Sequence, residues 1–295
     1  MNGFSTDLHP YADPFYVEAV TPADAQSLWV PGWATACVKR PVAGGGYDVG
    51  GSYPLTPLRT GCDLTAGLAQ LQAEGLISVV LVPDPLARPP LETLSRHFAH
   101  LVKFKTHLLI DGPYAPSRHH RERIRRGYRR CAVTQGPLIS GLEDWKRLYA
   151  GLVAKRGITG MADFRAPYFD RLAAIPGLSA FTASVEGQIV GMTLWFARDG
   201  VVYNHLTACD ETGYANSAAF ALYDAAITAF AGQGVINLGG GSGASGADGG
   251  GLFAFKQGFA NAEITAHICG QILDAEAYAR LSTGKPPGFF PAYRG

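Results

Sequence analysis

The order of elements between residues 180 and 269 constrains the fold more than any other feature of the sequence. Three short apolar segments are separated by turns that contain glycine, which is typical of an antiparallel meander. The predicted strands are Ala180–Val185, Gln188–Ala197 and Val201–Leu206. A helix at Ala215–Ala231 follows, then strands at Val235–Leu238 and Glu263–Cys269. Three antiparallel strands, a helix and two further strands form the basis of the second half.

The first half alternates short strands and helices. Strands are predicted at Ala34–Lys39, Ile77–Val82 and Val102–Ile110, and helical patterns at Thr65–Glu74 and Leu91–Leu101. A Pro/Gly break at 111–116 separates this region from the rest of the chain. The 295 residues suffice for two small domains. We therefore expect an α/β (α+β) fold in two lobes, 1–116 and 117–295.

Composition excludes several classes of protein. A hydrophobic content of 47% with 17% charged residues excludes a disordered chain. The five cysteines are scattered and lack ligand spacing, which argues against a disulfide framework or a zinc site and favours the cytoplasm. No apolar run reaches the roughly 20 residues of a membrane helix, and the first residues do not resemble a signal peptide. We expect a cytoplasmic protein without metal or cofactor.

The segment LGGGSGASGADGGGLFAFKQGF, from Leu238 to Phe259, joins a glycine-rich loop to an aromatic cluster. Gly239, Gly240 and Gly241 end a predicted strand, where glycine lets the backbone approach a ligand and where α/β proteins bind ligands. The stretch 242–250 alone is equally consistent with a flexible surface loop. Phe255 and Phe259 are spaced to pack on one helix face, and Lys256 taken alone would be a solvated lysine.

A second candidate is the arginine-rich segment 118–130, which holds seven arginines and one acidic residue. Arg118, Arg121, Arg125 and Arg129 fall at helical spacing, so they line one face. A charged run is usually only a solvated face. This density exceeds what solubility needs, and guanidinium groups match phosphate geometry, so we predict phosphate binding.

Tyr203 and His205 lie two residues apart on a predicted strand and so project from one face. Either could hold an amine or relay its proton, since histidine titrates near neutrality. The alternatives are core packing for Tyr203 and a satisfied polar contact for His205. Asp210 and Glu211 could accept a proton or serve as charges at a helix N-terminus.

Four segments together resemble Fem-type (FemABX-like) aminoacyltransferases of the GNAT superfamily. These are YNHLTACDE, ANSAAFALYDAAITAFAGQGVINLGGG, GLFAFKQGF and the basic RHHRERIRRGYRRCAV. The motifs cover roughly residues 100–270, and the first 95 residues match only in their β/α pattern. The resemblance implies two GNAT-like lobes, each a mixed, mostly antiparallel sheet flanked by helices. It also places Lys256 and Phe255 at the transfer centre, as catalytic residues, where the lysine ammonium would stabilise an oxyanion, and marks Arg121 and Arg125 within the basic motif.

The donor is inferred from a departure from ordinary GNAT enzymes. Those that use acetyl-CoA carry a basic, glycine-rich loop that cradles pyrophosphate, whereas DETGYANSAA has one glycine, Gly213, and no basic residue. The resemblance then implies transfer from a charged tRNA to a small-molecule or nucleotide-linked amine, either a cell-wall precursor or a natural-product intermediate. Two alternatives stay open: an acyl-CoA-dependent N-acyltransferase, and a non-catalytic RNA- or nucleotide-binding module.

Overall fold

A computed structural model describes residues 8–159, 163–164, 166–241, 250–286 and 288–295. The chain forms two compact units, one of residues 1–104 with 265–295 and the other of residues 105–264. The lobes 1–116 and 117–295 stay a prediction; the compact units differ from them in grouping residues 265–295 with the first unit and residues 105–116 with the second. Strands β5 (His100–Ile110) and β11 (Ala262–Ile272) contribute residues to both units.

The first unit builds a mixed sheet with strand order β1-β2-β3-β4-β11. Only β3 and β4 pair in parallel. Its elements, besides its parts of β5 and β11, are α1 (Pro14–Val20), β1 (Gln26–Val30), β2 (Thr35–Pro41), β3 (Tyr47–Gly50), α2 (Leu64–Ala73), β4 (Ser78–Leu81), α3 (Leu91–His97) and α10 (Ala275–Ser282). The core packs Trp33, Leu71 and Phe98 against the strands. A C-terminal residue completes this unit, since Arg294 donates to the buried Asp48 carboxylate.

The second unit builds a sheet with strand order β5-β10-β9-β8-β7-β6. Here only β9 and β10 pair in parallel. Its remaining elements are α4 (Arg118–Arg130), β6 (Ala132–Gly136), α5 (Leu142–Arg156), α6 (Ala166–Leu172), β7 (Leu178–Val185), β8 (Gln188–Arg198), β9 (Val201–Cys209), α7 (Glu211–Ala215), α8 (Ala218–Ala229), β10 (Val235–Gly239) and α9 (Gly251–Gln257). The predicted α/β class with mostly antiparallel sheets is confirmed.

The two faces of this second sheet differ in character. One face joins Ile236, Leu238 and Val202 to Leu222 and Ile227 of α8 in a single apolar core. Side chains alternate along a strand, so the neighbours of these residues project to the opposite face. That opposite face carries the polar residues of the candidate site.

Several element boundaries differ from prediction. The helix expected from Ala215 is split, because Ser217 takes a left-handed φ of 63° and separates α7 from α8. The strand expected from Val102 begins at His100. Strands β1, β3 and β6 were not predicted; they are short, and β6 has no fully buried residue to mark it in the sequence.

All five cysteines are free thiols. Across the ranges that the structure describes, no group of three or more His, Cys, Asp or Glu side chains is arranged to hold a metal ion. Within the same ranges, no helix combines the length and apolarity needed to cross a membrane.

Candidate active site

The parallel pair β9–β10 stops early. Its ladder ends at the Asn237–Tyr203 pair, although β9 continues to Cys209. The register of β10 against β5 shifts between Asn237 and Gly239, and Gly239 has a φ of +76°. The chain therefore leaves the sheet at the C-terminal end of β10, the position where α/β sheets commonly bind ligands.

Lys256 projects from the short helix α9 toward this point. Its side chain is buried, with the residue 8% exposed, and Nζ donates a 3.1 Å hydrogen bond to the Gly240 carbonyl oxygen. A Cβ atom on Gly239 would lie 3.3 Å from Nζ, and one on Gly240 would lie 2.9 Å from the Thr106 carbonyl oxygen. Gly240 must therefore lack a side chain for this close packing. Gly241 is half-buried and follows directly, and residues 242–249 lie outside the described ranges.

Burial perturbs the Lys256 ammonium. Desolvation, with a smaller effect of the Lys105 charge, lowers its pKa from 10.5 to about 8. The group is still mainly protonated at neutral pH. In the described chain, its one hydrogen bond goes to Gly240. The site therefore holds a desolvated cation with donor capacity left for a ligand.

Phe255 has a packing role beside this lysine. Its ring centroid lies 4.9 Å from those of Phe220 and Tyr223 and 5.2 Å from that of Phe259. The predicted helical spacing of Phe255 and Phe259 therefore matches an observed cluster. The cluster fixes α9 and, through it, the origin of the Lys256 side chain. A direct part for Phe255 in chemistry stays a prediction.

His120 connects the arginine-rich helix α4 to this turn. Its Nε2 donates to the Phe255 carbonyl oxygen at 2.8 Å, and its Nδ1 lies 3.0 Å from Ser117 Oγ. The Ser117 amide donates to the Gly258 carbonyl oxygen at 2.9 Å, and a Cβ on Gly258 would stand 2.0 Å from the His120 ring. The N-terminus of α4 is thus held against the end of α9. The sequence analysis missed His120 among the arginines.

Helix α4 has a buried face and an exposed face. Ile124 and Gly127 join His120 on the buried face. Arg121, Arg125 and Arg129 lie exposed on the other, as their spacing predicts. Arg121 donates to the Pro116 carbonyl oxygen at 2.8 Å. Phosphate binding by this face stays a prediction.

His205 lies buried on β9 with a tyrosine partner. Its Nε2 is 2.6 Å from Tyr168 Oη, and its ring packs edge-on to Phe196 at 5.2 Å. Desolvation lowers its pKa to about 3, so the ring is neutral at physiological pH. The polar contact anticipated as the alternative is present.

Tyr203, 3% exposed, stands opposite Asn237 in the β9–β10 register. It therefore lies on the polar face, near the point where β10 leaves the sheet. Catalytic roles for Tyr203 and His205 stay predictions.

The structure adds three residues that the sequence analysis missed: Lys105, His107 and Asn237. His107 Nδ1 lies 3.2 Å from Asn237 Oδ1, which also accepts the Gly239 amide at 2.8 Å. Burial, reinforced by the charges of Lys256 and then Lys105 and opposed by the Asn237 hydrogen bond, lowers the pKa of His107 to about 4. The sequence does contain a signal for these residues. Lys105 and His107 lie two residues apart on β5, so they project from one face, and Asn237 interrupts an apolar strand.

In the turn after β9, the Gly213 backbone amide is already bonded to a side chain of the protein. The Asp210 carboxylate accepts the Gly213 amide at 2.9 Å and caps α7. A Cβ on Gly213 would lie 2.3 Å from the Val190 carbonyl oxygen, so this glycine serves close packing. Of the two roles anticipated for Asp210, the structure shows helix capping.

Part of the sequence matches a known protein family, and the fold matches solved structures. Residues 118–257 match the family model described as an acetyltransferase (GNAT) domain. A comparison with curated protein sequences gives no match. The structure of FemX superposes with a TM-score of 0.64 at 11% identity, over 91% of this chain and 93% of that one.

Two further solved structures share the fold. L-PGS from Bacillus licheniformis gives a TM-score of 0.59 at 14% identity, over 86% of this chain and 85% of that one. The C-terminal domain of a lysylphosphatidylglycerol synthetase candidate from Agrobacterium fabrum gives 0.59 at 11%, over 87% and 86%. At these identities the likeness establishes the fold.

Proposed function

We propose that this chain transfers an aminoacyl group from a charged tRNA to an amine, forming an amide bond, because residues 118–257 match the acetyltransferase (GNAT) model and the fold resembles that of FemX. The observation that carries the proposal is the buried Lys256 ammonium at the C-terminal end of β10. A cation held in a desolvated site is suited to a reaction in which negative charge develops on a carbonyl oxygen.

Charge changes at two steps of the reaction: when the amine attacks the carbonyl carbon, and when the bond to the tRNA ribose breaks. The amine nitrogen attacks the ester carbonyl carbon, and the carbonyl oxygen becomes an oxyanion. Lys256 Nζ stabilises that oxyanion, since it is already desolvated and held by Gly240. The carbon–oxygen bond to the tRNA ribose then breaks, and the ribose oxygen leaves with the proton that the amine nitrogen gives up. The net change converts an ester and an amine into an amide and a hydroxyl.

The filled turn at Asp210 supports a tRNA donor over acyl-CoA. A pyrophosphate cradle presents free backbone amides and favours anions, whereas here the Asp210 carboxylate occupies the Gly213 amide. Binding CoA phosphates at this turn would place them against a carboxylate. The exposed arginines Arg121, Arg125 and Arg129 offer an alternative phosphate surface, for the tRNA backbone or a diphosphate-linked acceptor.

An acyl-CoA donor is the second candidate, and the match to an acetyltransferase domain favours it. The first candidate is supported by the Fem-type motifs of the sequence and by the structural likeness to FemX and to the lysylphosphatidylglycerol synthetase candidate, whose name specifies a lysyl product. The acceptor is proposed by class only: a small-molecule or nucleotide-linked amine, either a cell-wall precursor or a natural-product intermediate.

The test supplies purified protein with radiolabelled aminoacyl-tRNA and, separately, with labelled acetyl-CoA, each with a panel of amine acceptors. Transfer from tRNA that Lys256→Met abolishes and Lys155→Met preserves would support the proposal. Lys155 is the matched control because its ammonium is exposed and pairs with Glu211. Transfer from acetyl-CoA alone would select the second candidate. Salt-sensitive tRNA binding without turnover from either donor would indicate a non-catalytic RNA-binding module.

A further inference from the structure

Two side-chain nitrogens near Lys256, one on Asn237 and one on His107, have no hydrogen-bond partner among the described residues. Asn237 is 1% exposed, and its Oδ1 accepts the Gly239 amide at 2.8 Å. A backbone N–H can only donate, so this bond fixes which end of the side-chain amide is oxygen. The Nδ2 group on the other end has no partner in the described chain. Leaving a buried amide N–H unpaired is unfavourable, so such groups call for an explanation.

The contact with Asn237 also fixes the tautomer of His107. Its Nδ1 lies 3.2 Å from Asn237 Oδ1, an atom that can only accept. Nδ1 must therefore carry the ring proton. A neutral imidazole has one ring proton, so Nε2 presents a lone pair. Among the described residues, no hydrogen bond reaches Nε2.

Both open positions lie close to the transfer centre. Gly239 and Gly240 join them to Lys256, since Gly239 bonds Asn237 and Gly240 accepts from Lys256 Nζ. The Lys256 charge also acts on His107 directly. One donor and one acceptor, adjacent to a buried cation, match what an amide-forming reaction presents: a carbonyl oxygen and an amine N–H.

We propose that Asn237 Nδ2 donates to the carbonyl oxygen of the acyl donor beside Lys256, and that His107 Nε2 accepts the proton lost by the attacking amine. This inference rests on the proposed function and names two further catalytic residues for it. In each case a substrate group would pair with a side-chain nitrogen that has no hydrogen-bond partner among the described residues.

The proton balance is complete within the site. As the amine nitrogen bonds to the carbonyl carbon, it becomes positively charged and far more acidic than a free ammonium. Its proton passes to His107 Nε2, and the carbonyl electron pair moves to the oxygen held by Asn237 and Lys256. When the carbon–oxygen bond breaks, the departing ribose oxygen takes the proton from His107. Burial and the nearby Lys256 charge make protonated His107 a ready proton donor, since they lower its pKa.

The first experiment compares kcat and KM of Asn237→Asp and His107→Gln with matched controls Asn216→Asp and His97→Gln. Asp at 237 keeps both accepted hydrogen bonds and removes the donor, and Gln at 107 can still donate toward Asn237 while losing the imidazole base. We expect kcat to fall about 100-fold or more in both site variants, with KM for the donor changed less than about threefold. Site variants that keep wild-type kcat would overturn the inference.

The second experiment is nitrogen-15 NMR of the unmodified protein, which reads the tautomer without any turnover. We expect His107 to carry its proton on Nδ1, and a proton on Nε2 would overturn the inference whatever the activity. The probe is an unreactive 3′-aminoacylamido-adenosine. Shifts of the Asn237 side-chain amide upon its addition would support the assignment even if no acceptor is found. An unshifted Asn237 signal with the probe bound would refute it, whereas no binding and no transfer would refute the proposed function itself.

Discussion

Replacing Lys256 with methionine should stabilise the protein while abolishing transfer. This ammonium is buried, with one hydrogen bond among the described residues, and its pKa is lowered from 10.5 to about 8. Each pKa unit is worth about 1.4 kcal/mol, so the buried charge costs the folded state about 3 kcal/mol at neutral pH. Methionine has a similar length and no charge. The lost bond to Gly240 offsets about 1 kcal/mol, leaving a net gain of about 2 kcal/mol.

The sign of the pH dependence follows from the same shift. Between about pH 8 and 10.5 the unfolded chain binds the lysine proton more tightly than the folded chain does. The free energy of unfolding of the native protein therefore rises with pH across this window, relative to the methionine variant. The cost of the charge is full below pH 8 and vanishes above 10.5. The advantage of methionine should shrink by about 2 kcal/mol between pH 7 and 9.5.

Urea unfolding followed by tryptophan fluorescence at the two pH values measures this difference. Lys155→Met is the control, since its ammonium lies exposed beside Glu211 and surface changes usually stay within about 0.5 kcal/mol. A methionine variant that is less stable than wild type at pH 7, with a gap that does not depend on pH, would refute the reasoning. In that case the ammonium would be well solvated, and the desolvated oxyanion site would lose its main support.

Three further predictions address the surroundings of this lysine. Gly240→Ala should abolish transfer and lower the thermal midpoint of unfolding, because the added Cβ would lie 2.9 Å from the Thr106 carbonyl oxygen. In the control Gly151→Ala, the added Cβ meets nothing within 4 Å, so transfer and midpoint should stay unchanged. Equal midpoints for the two variants would contradict the prediction. The transfer rate should fall above about pH 8, as Lys256 loses its proton beside Lys105 and His107. In an active Lys256→Arg variant, this fall should move to higher pH. A fall at an unchanged pH would assign the titration to another group. Each of the variants Arg121→Ala and Arg125→Ala should weaken the salt dependence of tRNA binding by the amount expected for the loss of about one phosphate contact. The exposed Arg96→Ala is the control. A salt dependence equal to that of wild type would exclude these two arginines from the tRNA contact.

The second half of the fold was predictable because its signals are local. Strands β7 to β9 are short apolar segments joined by turns that contain Gly187 and Gly200, both with positive φ. The first sixty residues gave weaker signals. There β1 has an exposed Trp29, and β3 spans only four residues, so neither produces a clear alternation. The parallel pairing of β3 with β4 joins Val49 to Val79, which no local pattern encodes.

The candidate site divides in the same way. Lys256 and the glycines were found because a motif places them within one contiguous segment. Asn237 and His107 are separated by 130 residues, and neither is unusual alone, since a polar residue in a strand most often has a satisfied partner. The register of β10 against β5 brings the two side chains together, and the Gly239 amide fixes the orientation of Asn237, so that one donor and one acceptor have no partner among the described residues. The motif thus identifies the cation, whereas the hydrogen-bond geometry identifies the groups that could act with it.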